Sequence, residues 1–175
     1  MSSNASTGPR VLGTLRSEDG LGVVRMEDPY DTEIDDLWSA LTDPRRLSRW
    51  WGDVNGDLRP GGEFQFSIPN ALQGSGRVDE CEPPQRLLVT MRDEEPGPGQ
   101  PEETVIEAWL TADGGQTLLV VEERGLPLNL LPAYGAGVQI HVENLADYLA
   151  GRERGNDEER WSELLPAYEA LAPAT

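Results

Sequence analysis

Several residue types are scarce in this chain of 175 residues, and each scarcity excludes a class of protein. Cys81 is the only cysteine, which excludes an internal disulfide and is typical of a reducing cytoplasm. No apolar run approaches the roughly 18 residues of a transmembrane helix. The Ser- and Thr-rich start lacks the basic and apolar segments of a secretory signal. We therefore expect a cytoplasmic protein with a disordered tail, residues 1–10, and a single domain, residues 11–172.

Positive charge is also scarce. The chain has 14 basic residues, all of them arginine, against 32 acidic ones, and its net charge at pH 7 is -18. Nucleic-acid binding needs clustered positive charge that replaces the counterions of the phosphates. Anionic membranes attract basic segments for the same electrostatic reason. The charge therefore excludes both partners and is consistent with a protein that acidity keeps in solution.

Motifs for metals and cofactors are missing as well. With one cysteine and one histidine, His141, the sequence has no paired spacing for zinc. Residues 53–57 carry two aspartates and an asparagine but lack the remaining ligands of a calcium loop. The glycine pairs at 61–62 and 135–137 match neither the P-loop nor the dinucleotide pattern. We predict no metal, no cofactor and no motif-based catalytic residue.

The segment 31–51 predicts two short helices. Asp31 or Thr32 is expected to cap the first helix, whose apolar residues recur at spacings of three and four. These are Ile34, Leu37, Trp38 and Leu41. Pro44 suits the first turn of the second helix, with Asp43 as its cap.

The remainder of the chain predicts strands and then a long helix. Alternation at Phe64, Phe66 and Ile68, and Asp-Gly turns elsewhere, indicate successive antiparallel hairpins. Residues 93–102 are expected to form a long exposed loop. The apolar period then lengthens to predict a helix near residues 135–150, and a last short helix that Pro166 limits. Together these elements predict an α+β fold.

The stretch Trp38–Pro44, followed by Leu47, the tryptophan pair 50–51 and the segment Gly61-Gly62-Glu63-Phe64, carries a family resemblance. It resembles the SRPBCC, or START-like, superfamily, in the branch of homologues of the heat-shock-protein-90 ATPase activator. The resemblance implies a helix-grip fold, in which a curved antiparallel sheet wraps around a long C-terminal helix and two short helices follow the first strands. It also implies a cavity between the sheet and that helix.

Ten residues are expected to line this cavity, because they are aromatic, lie on inward strand positions, or are the few polar residues near the long helix. They are Trp50, Trp51, Phe64, Phe66, Glu80, Leu119, Val121, Glu123, Tyr134 and His141.

Several of these residues admit two interpretations. Adjacent helical residues point about 100° apart, so one tryptophan of the pair could close the cavity while the other packs in the core. His141 is either a hydrogen-bonded core residue or a polar anchor inside the cavity, with Glu123 as a possible partner. Glu122 or Glu123 could equally be surface charge. Glu80 is the weakest of the polar candidates.

The resemblance predicts a non-catalytic domain that binds a small apolar or amphipathic molecule. Two alternatives stay open. One is a co-chaperone that regulates a heat-shock-protein-90 ATPase. The other is an enzyme of the polyketide cyclase or aromatase type, for which His141, Glu123 and Glu80 would be the acid-base candidates.

Overall fold

The computed structural model describes residues 8–173, so most of the predicted N-terminal tail lies outside the described residues. Eight strands and four helices follow one another, with a short 3₁₀ helix at Leu128–Leu130 before the third α-helix. In chain order they are β1 (Gly13–Glu18), β2 (Leu21–Tyr30), α1 (Ile34–Thr42), α2 (Pro44–Trp50), β3 (Asp53–Gly56), β4 (Glu63–Ile68), β5 (Leu72–Glu82), β6 (Arg86–Asp93), β7 (Glu103–Asp113), β8 (Gln116–Leu126), α3 (Leu131–Leu149) and α4 (Asp157–Glu169).

The strands form one antiparallel sheet in the order β1-β2-β8-β7-β6-β5-β4-β3. Short turns join most neighbours, but the two helices α1 and α2 separate β2 from β3 and place them at opposite parts of the sheet. Helix α3 packs against the concave face and contacts β1 and β2 most closely. This is the predicted helix-grip fold, and the α+β prediction is confirmed.

Local sequence signals account for part of this architecture. Asp43 caps α2 by accepting a hydrogen bond from the backbone of Arg45, with Pro44 in the first turn, as predicted. The predicted cap of α1 is wrong. Glu33 occupies that position without a side-chain bond, and the Thr32 hydroxyl donates to the Asp36 carboxylate instead.

The last helix differs from the prediction, and β5 has a feature that the sequence analysis did not address. Helix α4 continues through Pro166 to Glu169, because its last turn buries Tyr168, whose hydroxyl accepts a hydrogen bond from the backbone of Gly13. The loss of one helical hydrogen bond at proline is outweighed by this packing. The glycines before residue 77 are part of β5, where the Phe64 ring lies directly over Gly76 and leaves no room for a side chain.

Candidate ligand-binding cavity

Two adjoining chambers lie between the concave face of the sheet and α3. The outer chamber has a volume of about 900 Å³ and is bounded by the β4–β5 turn, the 93–102 loop and the first half of α3. The inner chamber has a volume of about 280 Å³ and extends beneath α1 and α2. The same six residues line both chambers: Trp51, Met91, Ile106, Glu123, Val138 and His141.

The inner chamber is almost entirely apolar. Phe64, Leu119 and Val121 line it, as their alternation along β4 and β8 predicted. Phe66 lines the outer chamber instead, although it lies on the same face of β4 as Phe64. The strand therefore passes from one chamber to the other over two residues.

The two tryptophans of the pair have different surroundings. Trp50 is only 6% exposed, and its indole nitrogen donates a hydrogen bond of 2.9 Å to the carbonyl of Ala40. Trp51 lies where the two chambers adjoin, with its ring centroid 5.7 Å from that of Phe66 and 6.4 Å from that of His141. Trp50 thus holds α1 and α2 together and lines only the inner chamber, whereas Trp51 presents its ring to both chambers.

Glu123 is a cavity carboxylate with little compensation. It pairs with Ile106 on β7 and Val24 on β2 across the sheet, and its carboxylate accepts one hydrogen bond, from the Thr104 hydroxyl at 3.2 Å. Burial raises the pKa of Glu123 to about 7, and this bond only partly opposes the shift. The side chain therefore exchanges a proton near neutral pH.

His141 lies in the cavity wall but does not bond to Glu123, so the predicted hydrogen-bonded pair is not formed. Its Nδ1 atom is buried and has no hydrogen-bond partner among the described residues. Burial and, to a smaller extent, the nearby charge of Arg154 lower the pKa of His141 to about 4, against a weaker opposing effect of Asp157. The imidazole is therefore neutral at physiological pH and keeps an unused polar atom.

The two remaining polar candidates have different surroundings. Tyr134 lines the outer chamber, and burial raises the pKa of its hydroxyl, with a further contribution from the charge of Glu123. Glu80 does not line either chamber. A bulge between Val78 and Glu80 turns the glutamate to the opposite face, where it is exposed and pairs with Arg86.

Some lining residues were not among the sequence candidates. Thr104 shares a strand face with Ile106, so alternation along β7 would have placed it in the cavity once that face was known. Trp161 of α4, Asp93 at the end of β6 and the loop residues Glu95 and Glu102 close the outer chamber. No local pattern predicts their position, because it depends on how the loop and α4 fold over the sheet.

The structure gives little support for a cysteine nucleophile, a metal site or a membrane-spanning helix in the described residues. Burial raises the pKa of the Cys81 thiol, which disfavours the thiolate needed of a nucleophile. Within residues 8–173, no three His, Cys, Asp or Glu side chains are grouped so as to hold a metal ion. Over the same residues, no helix has the length and hydropathy required to cross a membrane.

Comparison with known families agrees with this geometry. Residues 31–150 match the family model of activator of Hsp90 ATPase homolog 1-like proteins. The chain belongs to this family. The match spans α1 to the end of α3 and so includes most of both chambers. The family and the structural neighbours below support a START-like ligand-binding domain.

Two solved structures share 28% sequence identity with this chain. CalU16 from Micromonospora echinospora has a TM-score of 0.74, and the alignment covers 93% of this chain and 96% of CalU16. DynU16, a protein of the dynemicin biosynthetic locus, has a TM-score of 0.68, and the alignment covers 77% of this chain but only 50% of DynU16.

A more distant structure shows the fold alone. EF2215 from Enterococcus faecalis, a conserved protein of unknown function, is 20% identical with a TM-score of 0.69, and 91% of each chain is covered. No curated protein matches this sequence significantly.

Proposed function

We propose that this protein binds a small apolar or amphipathic molecule in the two chambers and does not change it chemically. The size and lining of the cavity carry the proposal. Ligand pockets typically enclose about 300–1,000 Å³ and combine apolar walls with a few polar groups. The outer chamber, of about 900 Å³, falls in this range, and the apolar inner chamber adds about 280 Å³.

The polar groups of the cavity favour binding over catalysis. A general acid-base mechanism usually needs groups held in hydrogen-bond contact with each other or with the reacting atoms. Glu123 is bonded only to Thr104, and His141 has no hydrogen bond to Glu123. Neither residue has the partner that would activate it, so both are better suited to orienting a bound molecule.

A cyclase-type enzyme is the second candidate. It is favoured by the pKa of Glu123, about 7, which suits a residue that both gives and takes protons. Native mass spectrometry of the protein purified from its own host distinguishes the two. A retained molecule that is released unchanged after incubation supports binding, whereas conversion to a second species supports catalysis.

The family name also suggests an interaction with a heat-shock-protein-90 ATPase. No feature of residues 8–173 favours that interaction over ligand binding. The cytoplasmic location expected from the sequence is part of the proposal.

A matched pair of variants tests the binding proposal. Val138 lines both chambers, whereas Val120 lies on the opposite face of β8 and lines neither. We expect Val138→Trp to fill the cavity and weaken the binding of 1-decanol, measured by calorimetry, by at least about tenfold. Val120→Trp makes the same substitution outside the cavity and should bind normally. If decanol does not bind the wild type, or binds both variants equally, the proposal is wrong.

A further inference from the structure

The charged side chains that line the outer chamber are all acidic. Four carboxylates line it, and none of its lining residues within 8–173 is an arginine. The four are Asp93, Glu95, Glu102 and Glu123. The negative charges at the rim of the chamber have few positive or hydrogen-bonding partners. Glu102 lies 3.9 Å from the exposed Arg92, and Asp93 accepts a hydrogen bond from the backbone of Glu95.

Glu123 is the carboxylate that lies deepest, and none of the groups around it carries positive charge. Thr104 faces it from β7, and Tyr134 and His141 share the cavity with it from α3. Asp93 at the end of β6 adds another negative charge to the chamber. An ionised carboxylate that is buried without a counter-ion is unstable, so a ligand that supplies a positive charge would be favoured there.

His141 provides an independent indication of a ligand. Its Nδ1 atom is buried and unpartnered in a side chain that lines both chambers. The charged groups near it, Arg154 and Asp157, form an ion pair with each other, and neither makes a hydrogen bond to this nitrogen. Buried polar atoms in native proteins nearly always have a partner. A neutral imidazole has one acceptor nitrogen, which can receive an N–H of a ligand.

We propose that the ligand is a cationic amphiphile, whose apolar body enters the inner chamber and whose protonated amine lies beside Glu123 and within reach of His141. This inference rests on the proposed binding function and adds the chemical class of the ligand. It also predicts selectivity, because the acidic chamber disfavours an anion, such as a fatty acid, that has the same apolar body.

A series of probes with one apolar chain and three head groups tests the inference. Decylamine, 1-decanol and decanoate are titrated into the wild-type protein by calorimetry, below their micellar concentrations. We expect decylamine to bind about tenfold more tightly than decanol, and decanoate to bind most weakly. Decylamine stays protonated up to about pH 9, so its affinity should rise as Glu123 ionises around pH 7.

Two isosteric variants assign the preference to one carboxylate. Glu123→Gln should remove the preference for the amine over the alcohol, measured as the ratio of the two dissociation constants in the same variant. Glu27→Gln makes the same change of residue and net charge at an exposed position of β2, and should keep the preference. Thermal melts of each variant show that the fold is intact.

The outcomes separate this inference from the proposed function. If no probe binds, the binding function fails and the inference fails with it. If decanol binds but decylamine is no tighter, or if Glu123→Gln keeps the preference, the function stands and the inference is overturned. A preference that both variants lose equally would come from net charge rather than from Glu123, and would also overturn it.

Discussion

Glu122 and Glu123 are neighbours on β8, yet their pKa values are shifted in opposite directions because their side chains lie on opposite faces of the sheet. Glu122 accepts hydrogen bonds from Arg16 at 2.8 Å and Arg25 at 2.9 Å on the convex face. Burial would raise the pKa of Glu122, but these two arginines outweigh it and hold the pKa below the ordinary value. Glu123 has no such partner on the concave face, and its pKa rises to about 7.

The comparison shows that burial by itself does not decide how a carboxylate behaves. On the convex face the carboxylate is part of a network of ion pairs, in which Glu107 joins Arg86 and Arg124. On the concave face, the carboxylate of Glu123 borders a cavity and has no arginine beside it among the lining residues. The buried carboxylate of the convex face thus has its charge compensated by arginines, and that of the concave face does not.

Trp50 and Trp51 show the same contrast at the end of α2. Trp50 is buried, lines only the inner chamber and has its indole N–H bonded to Ala40, whereas Trp51 is only partly buried and lines both chambers. In both pairs, a step of one residue separates a group bonded within the protein from a group with fewer protein partners that lines both chambers.

The largest expected effect distinguishes the two tryptophans. Trp50→Ala should lower the free energy of unfolding by roughly 3–5 kcal/mol, because it leaves a cavity and an unpaired carbonyl at Ala40. Trp51→Ala should cost about 1–2 kcal/mol and should weaken decanol binding more than Trp50→Ala does after correction for unfolded protein. Urea melts and calorimetry measure these effects. Equal destabilisation by the two changes would remove the contrast.

Replacing the cavity carboxylate should increase stability in a pH-dependent way. The folded pKa of Glu123, about 7, is above the unfolded value of 4.5, so the wild type loses stability as pH rises through this interval. Glu123→Gln lacks this loss and should be more stable by about 3 kcal/mol at about pH 8, with the gain disappearing near pH 4.

Urea melts of wild type and variant at several pH values measure this difference. The contribution of His141 is common to both proteins and cancels. A difference that does not change with pH would show that Glu123 is not desolvated as the structure indicates.

The smallest effect is expected on the convex face, with the opposite sign. Glu122→Gln should lower stability by about 1–2 kcal/mol at pH 7, because Arg16 and Arg25 lose a charged partner but are themselves partly exposed. The folded pKa of Glu122 is lowered, so its contribution should fade as pH falls through that pKa. Chemical denaturation at neutral and acidic pH measures this, with Glu27→Gln as the exposed control. A stabilising Glu122→Gln would contradict the comparison.

The sequence could predict most of the fold, because the signals involved are local. The Asp43–Pro44 boundary, the alternation in β4 and the apolar period of α3 each depend on residues a few positions apart. Local signals failed where distant contacts were stronger. Helix α4 runs through Pro166 because Tyr168 contacts Gly13, which is 155 residues away.

What the sequence determined by itself is therefore the order of elements and the family, while it left open whether Glu122 or Glu123 is surface charge. Only the tertiary structure decided which glutamate meets arginines, that a bulge turns Glu80 away from the cavity, and that His141 keeps an unpartnered nitrogen. The physical reason is that acid strength depends on desolvation and on charges from other strands. Arg16 and Arg25 are 106 and 97 residues from Glu122 in the chain, and no local pattern relates them.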